Sequence, residues 1–165
     1  MSDTDPPTFQ TRSAGYLANQ MARLFAQALA EAIRPMGLAP AQFMVLLELW
    51  REEGLAQTDL VARADVEQAT MASTLARMER DGLILRTPHP EDSRAQVIRL
   101  TPRARSLEAD AVAAARAVNG RALAGFGEAE AALFLAQMRR VVVGLRNGRI
   151  KSTRRRVMAI SETEP

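Results

Sequence analysis

The spacing of the apolar residues changes at Gly82, from a helical period to that of a β-strand. Before this glycine, Met71, Leu75 and Met78 recur at helical spacing, which predicts a helix over residues 67–81. After it, two short apolar runs, LILRT and QVIRLT, flank the polar turn PHPEDSRA, as expected for a β-hairpin. A helix followed directly by a hairpin predicts a mainly α fold with a small β-hairpin.

A second, shorter helix precedes this one in the sequence. It is predicted from Thr58 to Ala64, and Thr58 is a residue type that favours the N-cap position. A turn of about three residues then leads into the helix over 67–81. Two helices joined by so short a turn are typical of a helix-turn-helix. Together with the hairpin that follows, they predict a winged helix-turn-helix.

Further helices are predicted on both sides of this central unit, over 12–34, 40–53, 102–125 and 128–146. The apolar stripes of the outer helices exceed what the small central unit can cover. We therefore expect a second copy of the chain to cover them, which predicts a homodimer. The predicted divisions are a flexible leader at 1–10, dimerisation helices at 11–36 and 102–146, a winged helix-turn-helix domain at 37–101, and a basic, flexible tail at 147–165.

The residues that most enzymes and metal sites require are scarce in this chain. It has no cysteine and a single histidine, His89, which lies in the predicted turn. Thiol chemistry, a histidine-rich metal site and a well-oriented catalytic triad are thereby excluded. A glycine-rich phosphate-binding loop is also missing from the sequence. We expect no enzymatic activity, no cofactor and no bound metal.

The sequence carries no signal for a membrane or for export. It contains no run of about eighteen apolar residues, so no transmembrane helix and no membrane partner are expected. The start of the chain, MSDTDPPTFQ, is acidic and contains prolines, whereas a secretory signal has a basic and then an apolar region. These features predict a cytoplasmic protein.

Arginine supplies almost all of the positive charge, with 21 of the 22 basic residues. Its planar guanidinium suits phosphates and guanine edges, although a GC-rich coding bias would give the same composition. Residues 149–165 hold five basic and two acidic residues and thus carry the whole net charge of +3. The average charge of the remaining chain therefore does not indicate a nucleic-acid surface.

The outward face of the predicted helix over 67–81 has small residues near its start and arginines further on. A helix that enters the major groove of DNA needs little bulk where its first turns approach the base edges. An alanine-rich face in contact with solvent is the alternative interpretation. Gln68 also has two interpretations, a contact to a base edge or a capping box with Asp65. The outward residues are Ala69, Thr70, Ser73, Ala76, Arg77 and Arg80.

Three segments between Leu38 and Arg103 resemble the multiple-antibiotic-resistance regulator (MarR) family of bacterial winged-helix repressors. They are GLAPAQFMVLLEL, LVARADVEQATMASTLARMERDGLILR and PEDSRAQVIRLT, and the last, with its Asp-x-Arg turn, is the most specific. The flanking helices extend the resemblance to about residues 12–146. It implies a winged helix-turn-helix flanked by N- and C-terminal helices in an intertwined homodimer. It also implies a transcriptional regulator, a repressor, that binds a pseudo-palindromic operator in double-stranded DNA through residues 37–101.

The same resemblance implies roles for individual residues. Arg94 would enter the minor groove from the tip of the wing, and Asp92 would orient it. The helix over 67–81 would be the recognition helix, and Arg86, on the strand after it, would support the wing or touch a phosphate. The DNA-binding residues implied in this way are Gln68, Ala69, Thr70, Ser73, Arg77, Arg86, Asp92 and Arg94.

Three positions depart from the pattern of the family. Ala39 stands where a Thr or Ser often caps the helix that begins at Pro40, at a cost of about 1 kcal/mol. Ser73 stands where an arginine is frequent, which leaves the operator sequence open. Ala104 replaces a common glycine after the second strand.

Many members of the family leave DNA when a small aromatic or phenolic compound binds, so the resemblance implies such an effector. The absence of cysteine excludes the thiol-based sensing of the family, and the single histidine excludes its zinc sensing. The alternative function is a winged helix that only contacts other proteins, for which the pair Asp92 and Arg94 would have no evident use. The candidate pocket residues are Tyr16, Gln20, Phe43, Met44, Leu47 and Arg51.

Overall fold

The computed structural model of the chain describes residues 8–89 and 95–161, with 149–161 as helical backbone only. It forms two compact units, one that ends at Asn119 and one that begins at Gly120. The described chain is mostly helical with one antiparallel pair of strands, which confirms the predicted mainly α fold with a hairpin wing. The elements are α1 (Phe9–Arg12), α2 (Ala14–Ile33), α3 (Pro40–Arg51), α4 (Gln57–Ala64), α5 (Gln68–Arg80), β1 (Ile84–Pro88), β2 (Gln96–Leu100), α6 (Pro102–Ser106), α7 (Glu108–Ala122) and α8 (Glu128–Ser161).

The ends of α2 follow from local sequence signals. The Ser13 hydroxyl accepts a hydrogen bond from the Tyr16 amide at 3.3 Å and so caps the first turn. At the other end Pro35 lies in a short 3₁₀ turn, Arg34–Met36. Gly37 then adopts a φ of 71°, a left-handed conformation that glycine tolerates best. The chain reverses there and enters α3.

The helix-turn-helix forms as predicted, but its caps differ from those predicted. Thr58 is not the N-cap of α4, because Ala56 takes that position and the Asp59 carboxylate accepts from its amide at 3.0 Å. Asp65 ends α4 with a φ of 53° rather than capping α5. Glu67 is the N-cap of α5, and within the described residues its side chain makes no capping hydrogen bond to the helix. The N-cap is thus not Asp65, the position that the capping-box interpretation of Gln68 required.

The wing is a two-stranded antiparallel hairpin, as the sequence predicted, with one additional bridge at its root. β1 and β2 pair antiparallel from Ile84 opposite Leu100 to Pro88 opposite Gln96. Leu55, which follows α3, forms an additional bridge with Ile98, whose amide donates to the Leu55 carbonyl at 2.8 Å. This bridge fastens the root of the wing to the segment between α3 and α4.

The core lies between the helix-turn-helix and the root of the wing. Met71, Leu75 and Met78 are buried in it, which confirms the inward face predicted for α5. Trp50 contacts the core at its edge, where its ring packs edge-to-face on Phe43 at a centroid distance of 6.0 Å. The fully buried members of largest volume also include Ile33, Leu46, Leu49, Leu60, Leu83, Ile84 and Ile98.

The helix predicted over 102–125 is divided into α6 and α7 at Leu107. Thr101 caps α6, since its hydroxyl accepts from the Ala104 amide at 3.1 Å. The Ser106 hydroxyl donates to the Arg103 carbonyl at 2.8 Å. Such a local bond competes with helical hydrogen bonding, which accounts for the interruption directly after Ser106.

The last helix, α8, is longer than predicted. It starts where expected, with the Gly127 amide donating to the Glu130 carboxylate at 2.8 Å, but continues to Ser161 instead of ending near residue 146. No proline interrupts the segment 147–161, and seven of its fifteen residues, the arginines, Lys151, Met158 and Ala159, are good helix formers. Of the predicted flexible tail, 147–161 is thus helical and 162–165 lies outside the described residues. Across the described ranges, no helix is long and apolar enough to cross a membrane.

Glu53 connects the end of α3 with both β2 and α6. Its carboxylate accepts from Arg105 Nε at 2.7 Å and Nη2 at 2.8 Å, and from the Leu100 amide at 3.4 Å. The Arg105 hydrogen bonds are the largest of the effects that lower the pKa of Glu53. This carboxylate therefore stabilises the junction between the wing and α6 in its charged form.

Replacing Glu53 with glutamine is expected to lower the free energy of unfolding at neutral pH. The native protein loses the same contribution in acid, because Glu53 becomes protonated there. Because the pKa of Glu53 in the folded state lies below the ordinary value of 4.5, its contribution is complete above that value and falls as the pH drops through the lowered pKa. Urea titrations from about pH 7 to pH 3 should show that the free energies of unfolding of wild type and Glu53→Gln converge in acid. A difference that stays constant over this range, or an equal change in the exposed control Glu31→Gln, would contradict the assignment.

Candidate DNA interface

The recognition helix α5 separates a buried face from an exposed face. Met71, Thr74, Leu75 and Met78 are buried against the core. The opposite face is open to solvent over the whole length of the helix. Its exposed residues are Gln68, Ala69, Thr70, Ser73, Ala76, Arg77 and Arg80.

The structure brings five of the predicted DNA-binding residues together on this exposed face. Ala69, Thr70 and Ser73 have short side chains, so the first two turns of α5 present little bulk. Gln68 opens the helix and takes no part in a capping box, which leaves its amide at the exposed end of the face. Arg77 lies one turn beyond Ser73. The face therefore has the narrow start that major-groove entry requires.

Arg77 is positioned by a neighbour on its own helix. The Thr74 hydroxyl donates to the Thr70 carbonyl at 2.9 Å, which fixes its oxygen on the side of α5 next to Arg77. Arg77 Nη2 then donates to this oxygen at 3.4 Å. One of the five guanidinium donors is engaged in this way, so the others remain available to a partner. The contact orients the arginine within the exposed face.

Arg86 connects the wing with the recognition helix. Its Nε lies 3.3 Å from the Glu79 carboxylate, and its side chain is only 26% exposed. The pair ties β1 to the last turn of α5. Of the two roles that the resemblance implied, this contact favours support of the wing.

The structure does not place the other two predicted residues. Asp92 and Arg94 lie outside the described residues, which resume at Ala95. At the base of the tip the His89 amide donates to the Ala95 carbonyl at 2.9 Å. This bond closes the hairpin directly below the predicted Asp-x-Arg turn.

Gln42 is a structural residue of the interface that the sequence interpretation missed. It is 95% buried, its carbonyl oxygen accepts from the Ala39 amide at 3.0 Å, and its amide donates to the Asp81 carboxylate at 2.8 Å. The first bond satisfies the amide of Ala39 and is one half of a capping box, the other half of which an alanine side chain cannot provide. The second fastens the start of α3 to the end of α5. A glutamine three residues after the N-cap was the available signal, since it is the second half of a capping box.

The carboxylate and the backbone carbonyl of Asp81 accept several hydrogen bonds at the end of α5. Arg80 Nε lies 3.0 Å from its carboxylate, and Arg103 donates to its carbonyl. The hydrogen bonds from Arg80, and after them those from Gln42, lower the pKa of Asp81 below its ordinary value. The last turn of the recognition helix is thus held by contacts from α3 and α6.

A cavity of about 610 Å³ lies between α2, α3 and α7. Three predicted pocket residues line it: Phe43, buried; Leu47, half-buried; and Met44, 54% exposed. The other three, Tyr16, Gln20 and Arg51, are not among its lining residues. The remaining lining residues are Ala22, Phe25, Ala26, Leu29, Pro40, Val112, Ala115, Arg116, Val118 and Asn119.

This cavity is suited to a small amphipathic molecule. Its volume falls within the range of about 300–1,000 Å³ that is typical of ligand sites. The walls are mainly apolar, while Arg116 contributes a cation and Asn119 an amide. An aromatic body with one anionic group would match both features. The alanines and Arg116 could not be found from the sequence, because their chain positions give no sign that they meet.

The helix-turn-helix, the wing and the exposed face of α5 define a winged helix-turn-helix protein. A family model described as the MarR family matches residues 38–95. The HTH-type transcriptional repressor Rv2887 of Mycobacterium tuberculosis is 30% identical over 110 residues, which cover 67% of this chain and 79% of that protein. The chain therefore belongs to the MarR family, and the family prediction is confirmed.

Solved structures agree with this assignment. A probable transcriptional regulator from Pseudomonas aeruginosa has a TM-score of 0.72 and 29% identity, covering 78% of this chain and 96% of that one. Rv2887 in complex with DNA has a TM-score of 0.62 and 26% identity, covering 83% and 98%. CouR from Rhodococcus jostii RHA1, bound to p-coumaroyl-CoA, has a TM-score of 0.69 and 26% identity, covering 79% and 90%.

Proposed function

We propose that the protein is a dimeric, sequence-specific DNA-binding transcriptional repressor of the MarR family that acts in the cytoplasm by binding and not by catalysis. The observation that carries this proposal is the exposed face of α5, small at its start and cationic further on. This face belongs to the second helix of a helix-turn-helix and is followed by a wing. The relative Rv2887, a repressor with a solved DNA complex, supports the same function.

Each part of the interface has its own task in this proposal. Gln68, Ala69, Thr70 and Ser73 approach base edges in the major groove, since they occupy the first two turns of α5. Arg77, beyond them, contacts a phosphate. The wing adds a contact in the minor groove through Arg94, which Asp92 orients and Arg86 supports from β1. Base contacts then provide sequence preference, and phosphate contacts position the helix.

The dimer is proposed from apolar surface that the described chain leaves open. On α2, Tyr16, Leu17 and Leu24 are between 40% and 58% exposed. On α8, Leu133 and Leu145 are 60% and 67% exposed. Apolar stripes of this extent on helices are normally covered by a partner, and a second copy covers both sets in a symmetric arrangement. Segments 11–36 and 102–146 are the proposed dimerisation helices.

A small aromatic or phenolic effector is proposed to control DNA binding from the cavity between α2, α3 and α7. The cavity lies against α3, and Gln42 connects α3 with the end of the recognition helix. A ligand that shifts α3 would therefore change the position of α5. The structure of CouR with p-coumaroyl-CoA supports an aromatic ligand class for this fold.

Selection from a random pool of double-stranded DNA tests the function directly. The purified protein is expected to enrich an inverted repeat of roughly 16–20 base pairs, with its half-sites about one helical turn apart. Repeating the selection with benzoate, hydroxybenzoates and hydroxycinnamates present tests for release. If the protein enriches no sequence while it remains folded and dimeric, the winged helix serves protein–protein contacts instead.

A further inference from the structure

An arginine-lined groove lies at the C-terminal end of the recognition helix. It has a volume of about 490 Å³, and its cationic residues are Arg34, Arg77 and Arg80. Arg34 comes from the 3₁₀ turn before α3, while the other two come from the last two turns of α5. The start of α3 completes the lining. Of these arginines only Arg77 belongs to the DNA-binding residues proposed above.

The charge of this groove favours an anion. Three guanidinium groups face a single carboxylate, that of Asp81, so the lining has a charge of 3 − 1 = +2. The Asp81 carboxylate already accepts from Arg80 and Gln42, at 3.0 Å and 2.8 Å. Arg80 uses only its Nε in that pair and remains 72% exposed, so its terminal nitrogens are available. The groove therefore combines available hydrogen-bond donors with a net positive charge.

We propose that this groove binds a phosphate of the DNA backbone through Arg34 and Arg80, beside the base-contacting turns of the recognition helix. The assignment rests on the proposed DNA-binding function and adds two positioning residues to it. Its occupant is a phosphodiester on the rim of the major groove and not a free anion or an acidic protein segment.

The distance along α5 supports this occupant. Ser73, Arg77 and Arg80 follow one another at spacings of four and three residues, so they lie on one face of the helix. At 1.5 Å per residue, Arg80 lies about 10 Å beyond Ser73 along the helix axis. The major groove is about 8.5 Å deep, so when α5 enters it N-terminus first, as proposed, a residue at that distance from the base-contacting turn meets the rim where the phosphates lie. Arg34 approaches the same place from the other side of the groove.

The experiment measures binding to the selected operator as a function of salt for wild type, Arg34→Ala, Arg80→Ala and the double variant. Each single variant is expected to bind about 5–10-fold more weakly near 0.1 M salt, because one phosphate contact is weakened in each subunit. In the double variant the slope of log K against log salt should fall by about 0.9 per subunit, roughly 1.8 for a dimer. The sequence selected by the variants should not change, since phosphate contacts carry no base information.

Matched variants separate a phosphate contact from general effects. Arg34→Lys keeps the charge and should retain most of the slope, whereas Arg121→Ala removes an equal charge from an exposed site on α7 outside the groove and should leave it unchanged. Arg34→Ala breaks no hydrogen bond or ion pair described for the folded chain, so it remains informative if Arg80→Ala unfolds. Unchanged affinity in both single variants, or an unchanged slope in the double variant, with wild type bound to its operator, would overturn the groove assignment alone. An altered selected sequence would also overturn it, and failure of wild type to select any sequence would overturn the proposed function as well.

Discussion

Replacing Ala69 with glutamate is expected to weaken operator binding about 100-fold or more while the protein stays folded. Ala69 is exposed in the first turn of α5, where the proposed interface has least bulk. A carboxylate there would face base edges and phosphates in both subunits without a cation to pair with. A mismatch at such a contact costs about 1–3 kcal/mol, and a dimer incurs it twice. Quantitative binding to the selected operator is the measurement.

The thermal stability of this variant should stay the same or rise, although its affinity for DNA falls. An acidic residue in the first turn of a helix interacts favourably with the helix dipole, by about 0.3–1 kcal/mol. The melting temperature of Ala69→Glu should therefore equal or exceed that of the native protein. Ala69→Gln is the matched control, since it adds the same bulk without the charge and should lose only about tenfold in affinity. Full operator binding by both variants would show that this turn of α5 does not enter the groove.

The recognition helix was predictable because its fold depends on local signals. Met71, Leu75 and Met78 recur at helical spacing, and Gly82 adopts a φ of 67° where that spacing stops. The inward face and its opposite follow from this period alone. The exposed residues from Ala69 to Arg80 were therefore identified correctly as a face. Their role in DNA binding came from the family resemblance, not from the period.

Contacts between distant parts of the chain were not predictable in the same way. Leu55 pairs with Ile98, and Glu53 binds Arg105, across more than forty residues in each case. A single residue that adds a strand bridge leaves no alternating pattern in the sequence. The bond from Gln42 to Asp81 is of the same kind, since it joins the start of one helix to the end of another. These contacts determine how the wing and α5 are held, and they appear only when the chain is folded.

The candidate effector cavity was predictable only in part, for a related reason. Phe43, Met44 and Leu47 lie on α3, where apolar spacing drew attention to them. The opposite walls contain alanines of α2 and α7, which leave space because they are small. A small residue marks a cavity only when its neighbours in space are known. Arg116, the cation of the site, is one of several arginines in the chain and has no distinguishing sequence context.

Filling this cavity is expected to separate DNA binding from its control. In Ala26→Trp, the indole would occupy part of the space between α2 and α3, since Ala26 lines the cavity and is exposed at its open side. Affinity for the selected operator should stay within about threefold of wild type, because no residue of the proposed DNA interface is touched. The concentration of an aromatic carboxylate that releases half of the DNA should rise at least about 30-fold, the loss of roughly 2 kcal/mol of ligand binding.

The neighbouring variant Gln27→Trp adds the same side chain to α2 at an exposed position that does not line the cavity, and it should respond to effector like wild type. Equal loss of response in both variants would point to a general effect on α2, which sedimentation would reveal as a change in dimerisation. Equal release of Ala26→Trp and wild type would place the effector elsewhere. Loss of the response to effector in Ala26→Trp alone would identify the cavity as the effector site. Weaker release of DNA by carboxylates than by their neutral amides in Arg116→Gln would identify the charge of the ligand. The apolar walls and the single cation would then account separately for affinity and for selectivity.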